Sequence, residues 1–226
     1  MAAAAELNKQ GLRTLGTSLF SLAQAVTASQ AGCLYISPYF NEVAAYSDES
    51  LMHKGPDPAM THPMAPRVIH ILEAYAQLYK KTGKEQPLFV MASNANITEV
   101  LATAELGCQH ITVLAAHLKE LQETPLDATA LAKYPFLQNP PPKEKEGAYY
   151  NKYQTPERFV GHTKIDPVAG PEWDGVLADI HKDYLKDNGN ALSEAIENDP
   201  AVVKKMKDVL DAFLEGEAIA RRAIEE

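Results

Sequence analysis

Four short apolar runs set what this chain can fold into: Arg13 to Ser21, Cys33 to Phe40, Leu88 to Ser93 and His110 to Leu114. Each is rich in Leu, Ile, Val, Phe or Tyr and short, the pattern of a buried strand. Gly11, Gly32 and Gly107 each stand just before a run, where a helix would stop and turn into a strand. Ser21, Ser37 and Ser93 stand at predicted strand ends. Helical patterns fill the gaps. Leu22 to Gln30 is Ala-rich, and Ala65 to Thr82 puts Val68, Ile69, Leu72, Tyr75, Ala76 and Tyr79 on one face. Ile97 to Leu106 follows Asn94 and Asn96, either of which suits an N-cap. Strand, helix, strand, helix predicts an α/β fold with right-handed crossovers in a parallel sheet. In such folds the chemistry collects at the carboxyl ends of the strands.

The alternation stops near Thr124, dividing the chain into three expected parts. Residues 1–124 carry the strands, and 125–171 read as a Pro-rich irregular excursion. Residues 172–226 return to helix. The middle part holds Pro140-Pro141-Pro142 and the charge run Lys143 to Glu146, with Tyr149, Tyr150, Tyr153 and Phe159 to order it in part. In the last part Asp199-Pro200 reads as cap and first turn. Val202, Val203, Met206, Val209, Leu210 and Phe213 then repeat at helical spacing.

Bulk properties narrow the partners. With 226 residues, 46% of them hydrophobic, the chain is long enough for one sizeable core. A formal charge of −9 argues against nucleic acid and against an anionic membrane surface. No stretch reaches the roughly 18 consecutive apolar residues of a membrane helix. Cys33 and Cys108 lie in apolar sequence and read as buried thiols, which predicts a cytoplasmic protein. His53, Asp57 and His62 share a Pro-rich loop, but their spacing fits no standard ligand set, so no metal is expected. No phosphate-cradling Gly loop and no nucleophile elbow is present, and no cofactor is expected.

Longer motifs carry a resemblance. Gly11-Leu12-Arg13-Thr14-Leu15-Gly16-Thr17-Ser18-Leu19-Phe20-Ser21-Leu22-Ala23-Gln24-Ala25 resembles the fifth strand and following helix of transaldolases. Ile36-Ser37-Pro38-Tyr39 resembles their sixth strand. Val90-Met91-Ala92-Ser93 with Asn96-Ile97-Thr98-Glu99 is similar to the seventh and its helix. Leu106-Gly107-Cys108 before His110-Ile111-Thr112-Val113 is similar to the eighth. The tail from Asn198 to Arg222 resembles the family's last helix. The resemblance implies a partial (β/α)8 TIM-type barrel, strands five to eight, with extra C-terminal helices.

It also implies transfer of a dihydroxyacetone unit between sugar phosphates through a lysine Schiff base, the protonated imine acting as electron sink. Thr17 matches the threonine that positions a water, although a β-branched residue also simply suits a strand. Ser37 and Ser93 match serines that bind substrate, although a strand-end hydroxyl can equally satisfy a loop. Tyr39 stands where the family has an aromatic, and a core role fits it as well. Gln24 reads as a packing residue.

Departures from the pattern shape the expectation. The fourth-strand lysine and first-strand carboxylate would fall before Met1, and Met1-Ala-Ala-Ala-Ala-Glu-Leu reads as the middle of a helix. Leu15, Glu42 and Ala95 replace an asparagine and two phosphate-clamping arginines; Arg67, on the next helix, could reach in, although nothing in the spacing demands it. The expectation is therefore the C-terminal half of such an enzyme, impaired as an isolated chain, with a small sugar or sugar phosphate as its partner. Two other readings stand beside it. One is a non-catalytic half-barrel that pairs with a second copy. The other is an altered aldolase using Lys119, which should face outward.

Overall fold

Ser21, Asn96 and Asp199 each close one segment and start a helix, and their side chains explain why the chain turns there. Ser21 Oγ accepts from the Gln24 amide at 3.4 Å, while Gln24 Oε1 accepts from the Ser21 amide at 3.1 Å, a reciprocal capping box. Asn96 Oδ1 accepts from the Glu99 amide at 3.0 Å, and Asp199 Oδ1 from the Val202 amide at 3.1 Å. The computed structural model describes residues 1–46, 48–133 and 149–225. The expected Pro140–Pro142 and Lys143–Glu146 runs lie outside the described residues.

The strands are β1 (Leu15–Leu19), β2 (Tyr35–Pro38), β3 (Leu88–Met91) and β4 (His110–Ile111), parallel and in the order β1-β2-β3-β4. Helix α1 (Ala2–Lys9) precedes them, and α2 (Leu22–Gln30) joins β1 to β2. The short α3 (Pro58–Thr61) and long α4 (Ala65–Thr82) join β2 to β3, and α5 (Ile97–Glu105) joins β3 to β4. All four strands coincide with the apolar runs. This is an α/β fold whose parallel sheet is compatible with part of a (β/α)8 barrel.

Side chains alternate across the sheet. Ile36, Phe89 and Met91 are 0% exposed beneath the helices. Leu15 and Thr17, in register with Tyr35 and Ser37, point to the other face, where Leu15 is 47% exposed. Tyr35 and His110 meet edge-on there at 5.6 Å, across β3. Ser18 interrupts the ladder. Its φ of 59° and the register shift between Thr17 and Leu19 form a bulge, which turns Leu19 into the core.

Gly107 links α5 to β4 at φ 100°, and a Cβ there would meet Tyr149 Oη at 2.8 Å. That hydroxyl donates to the Gly107 carbonyl at 2.8 Å. Beyond β4 lie α6 (Ala115–Glu123), α7 (Ala128–Lys133) and α8 (Tyr149–Lys152). Helix α8 and the 3-10 turn Glu157–Lys164 both pack on α4. Within the expected excursion, residues 149–164 thus join the main core: Tyr150 is 0% and Phe159 1% exposed. Each buried aromatic there stabilises by about 1.5–3 kcal/mol, enough to hold a short segment without regular structure. Helix α9 (Lys186–Glu197) is broken by positive φ at Asp187–Gly189, and α10 (Pro200–Glu225) closes the described chain.

Candidate active site

Thr17 and Ser37 are register partners on adjacent strands, so parallel pairing alone sets their side chains next to each other. Tyr39 follows two residues on, and the same face carries it. Its ring meets Phe20 edge-on at 5.9 Å. Ser37 is buried and Tyr39 half-buried, whereas Thr17 is exposed. Ser93 does not lie on the ladder. It sits just past β3 at φ 61°, and its carbonyl accepts both the Asn41 amide at 3.0 Å and Asn41 Nδ2 at 2.8 Å. Three of the four expected residues therefore share one face, and Asn41 ties the fourth to the end of β2.

Asn41 is the hub of a buried network that the motifs did not single out. The Met64 amide donates to His62 Nδ1 at 3.1 Å, which leaves the ring proton on Nε2, 3.2 Å from Asn41 Oδ1. Asn41 Nδ2 then donates to Glu99 Oε2 at 2.5 Å, and the Ala95 amide donates to the same oxygen at 2.7 Å. Glu99 is 0% exposed, and burial pushes its pKa up despite those two donors. Glu99 Oε1 has no partner among the described residues. Burial, with the nearby His53 and Lys205, lowers the His62 pKa to about 3, so its ring is neutral. Phe40 stacks on it at 3.8 Å. One signal was available: Glu99 is the third residue of a helix capped by Asn96, where a carboxylate reaches back to loop amides.

The first turns of α10 lie over the ends of β1 and β2. Val202 and Val209 bury against Phe20, with Tyr39 and Val43 at the edge. Glu42 receives Lys204 Nζ at 2.8 Å and Lys205 Nζ at 2.7 Å. Burial acts to raise the Glu42 pKa, but the two ammonium groups together hold it below the usual carboxylate value. Lys205 also stands over the Phe20 ring at 5.9 Å from its centroid. Gln24 packs as expected, with Oε1 on the Phe20 amide at 2.9 Å and Nε2 3.2 Å from Met206 Sδ.

Arg67 reaches the strand ends but is fully engaged there. Its Nε donates to Asp166 at 2.9 Å, Nη1 to the Phe20 carbonyl at 2.7 Å and Nη2 to Asp199 at 2.7 Å. It is a structural post. Lys119 is 76% exposed and 4.0 Å from Glu123, facing outward. Asp57 turns to Arg158 rather than toward His53 and His62. Among the described residues no group of three His, Cys, Asp or Glu is placed to hold a metal ion. No helix of the described residues is long and apolar enough to cross a membrane.

The family model described as Transaldolase/Fructose-6-phosphate aldolase matches residues 1–153. A transaldolase of Yersinia pseudotuberculosis serotype O:3 (strain YPIII) is 30% identical over 160 residues, covering 68% of this chain and 47% of that protein. The chain thus spans about half the length of this curated relative. The match takes in all four strands, the crossovers and Thr17, Ser37, Tyr39, Asn41, His62, Ser93 and Glu99. On this ground the chain belongs to the transaldolase/fructose-6-phosphate aldolase family.

Proposed function

We propose that the strand ends of this chain form the sugar-handling part of a transaldolase-type site, β1 to β4 corresponding to the fifth to eighth strands of the family barrel. The observation that carries this reading is the side-by-side placement of Thr17 and Ser37, with Tyr39 two residues on, at the carboxyl ends of a parallel sheet. In it Thr17 positions a water, while Ser37 and Ser93 bind the hydroxyls of a small sugar and Tyr39 packs beside its carbonyl carbon. The reaction is transfer of a dihydroxyacetone unit through a lysine Schiff base. That lysine has no counterpart in residues 1–226, and the chain alone does not turn over at a normal rate. The two thiols, both free, suit a cytosolic setting.

The chemistry follows from the geometry. The Thr17 and Ser37 hydroxyls, held side by side by the strand register, select the hydroxyls of a small sugar. The test is a titration with dihydroxyacetone followed by amide chemical shifts. Saturable shifts at Thr17, Ser37, Tyr39 and Ser93, lost in Ser37→Ala, support the reading; shifts elsewhere only would overturn it. Borohydride trapping with the same ketone, read by peptide mass spectrometry, is expected to leave every lysine unmodified.

A second reading is a non-catalytic half-barrel that pairs with another copy. It is favoured by the exposure of Leu15 at 47%, with β1 and β4 each hydrogen-bonded to one strand only among the described residues. Sedimentation equilibrium separates the two: a monomer at all concentrations removes the pairing reading and leaves the first intact.

A further inference from the structure

The cavity between the β2–α3 loop and α10 has a volume of about 340 Å³ and collects positive charge in an otherwise acidic protein. Lys54 and Lys205 line it, together with the His53 and His62 rings and the Glu42 carboxylate. Glu42 is shared by two ammonium groups, since Lys204 holds its second oxygen. Lys204 is in turn paired with Asp208 at 2.9 Å. Two ammonium groups, Lys54 and Lys205, thus line the cavity against one carboxylate that Lys204 also neutralises, while the chain as a whole carries −9.

Lys205 differs from the other lysines. Its side chain is 13% exposed, whereas Lys204 is 61% and Lys119 76% exposed. A shielded ammonium whose single carboxylate partner is divided with a neighbour holds unspent attraction for an anion. The His62 ring registers the same field, because Lys205 adds to the lowering of its pKa. Phe40, Leu51 and Val168 add apolar walls to the cavity.

We propose that this cavity is an anion site, taking a small oxyanion such as phosphate or a carboxylate between Lys54 and Lys205. It lies on the α10 side of the β2 end and needs neither Thr17 nor Ser37, so it stands independently of the sugar-site reading. Its occupant faces His53, whose pKa burial holds below the ordinary value. A bound anion offsets that effect, so His53 gains a proton more readily when the cavity is filled.

The experiment is a titration of the full chain with inorganic phosphate at constant ionic strength, read by amide shifts and by the His53 ring resonance. Saturable shifts at Lys54, His62 and Lys205, with the His53 titration midpoint moving to higher pH, are expected. Lys54→Met should weaken binding roughly tenfold, as loss of one charge-assisted hydrogen bond implies. Lys182→Met, a remote exposed control, should leave it unchanged. Lys54 is exposed, so its replacement does not endanger the fold, and circular dichroism confirms this for each variant. Linear, unsaturable shifts, or equal weakening in both variants, would overturn the proposal.

Discussion

Arg67 Nη2 stands 2.7 Å from Asp199 Oδ2, and through this contact the middle of the chain holds the start of its last helix. The same guanidinium spans Asp166 and the Phe20 carbonyl, so three segments distant in sequence meet on one buried side chain, 3% exposed. Arg67→Met leaves Asp166 with only the Val168 and Ala169 amides and takes the guanidinium from the Phe20 carbonyl and Asp199. A loss of about 3–5 kcal/mol is expected from urea unfolding, typical of breaking a buried pair. A loss below about 1 kcal/mol, the scale of a surface pair, would contradict this role.

Glu42→Gln removes the carboxylate that Lys204 and Lys205 share. Faster amide exchange is expected from Val202 to Val209, with little change in α4. The ion pairs are partly exposed, so raising salt should move the wild type in the same direction. Unchanged exchange in α10 would show that Val202 and Val209 hold the helix without the lysines.

The pH dependence of Glu99 has a definite sign. Its pKa is raised in the fold, chiefly by burial, above the ordinary 4.5. Stability from the protonated form is therefore complete below 4.5 and lost as pH rises through the folded value. Glu99→Gln keeps a neutral amide in that place. Its melting temperature relative to wild type should rise with pH above 4.5 and level off, and a flat difference would exclude the ionisation.

His62 acts in the opposite sense. Its pKa falls from 6.5 to about 3, with burial as the main cause. The neutral ring contributes stability above 6.5 that is lost as pH falls toward 3. His62→Asn should be less stable at neutral pH yet lose less on acidification across that window. Parallel stability curves for the two proteins would contradict a buried neutral imidazole.

Tyr150 tests whether residues 149–164 are core. Its hydroxyl donates to the Pro87 carbonyl at 2.7 Å, and its ring meets Tyr75 at 5.5 Å. Tyr150→Phe should cost about 1 kcal/mol for the hydrogen bond. Tyr150→Ala should cost about 3–5 kcal/mol for the emptied volume. Both are read from chemical denaturation, and near-zero values would return this segment to the surface.

Sequence by itself determined the elements and their caps, because these depend on neighbours a few residues apart. The apolar runs are short enough to be strands, Gly11, Gly32 and Gly107 adopt positive φ before them, and Ser21 and Asn96 each bond the amide three residues on. The family was legible for the same reason, since its motifs are contiguous. Tertiary structure decided what each charged or polar group faces. Arg67 lies on the helix that follows β2, yet Asp166 and Asp199, 99 and 132 residues later, take its donors. Glu42 marks a reversal of charge in the motif, but α10 supplies two lysines that reverse it again. Asn41, His62 and Glu99 share no local pattern; burial makes each need a partner, and only the packed chain brings those partners within reach.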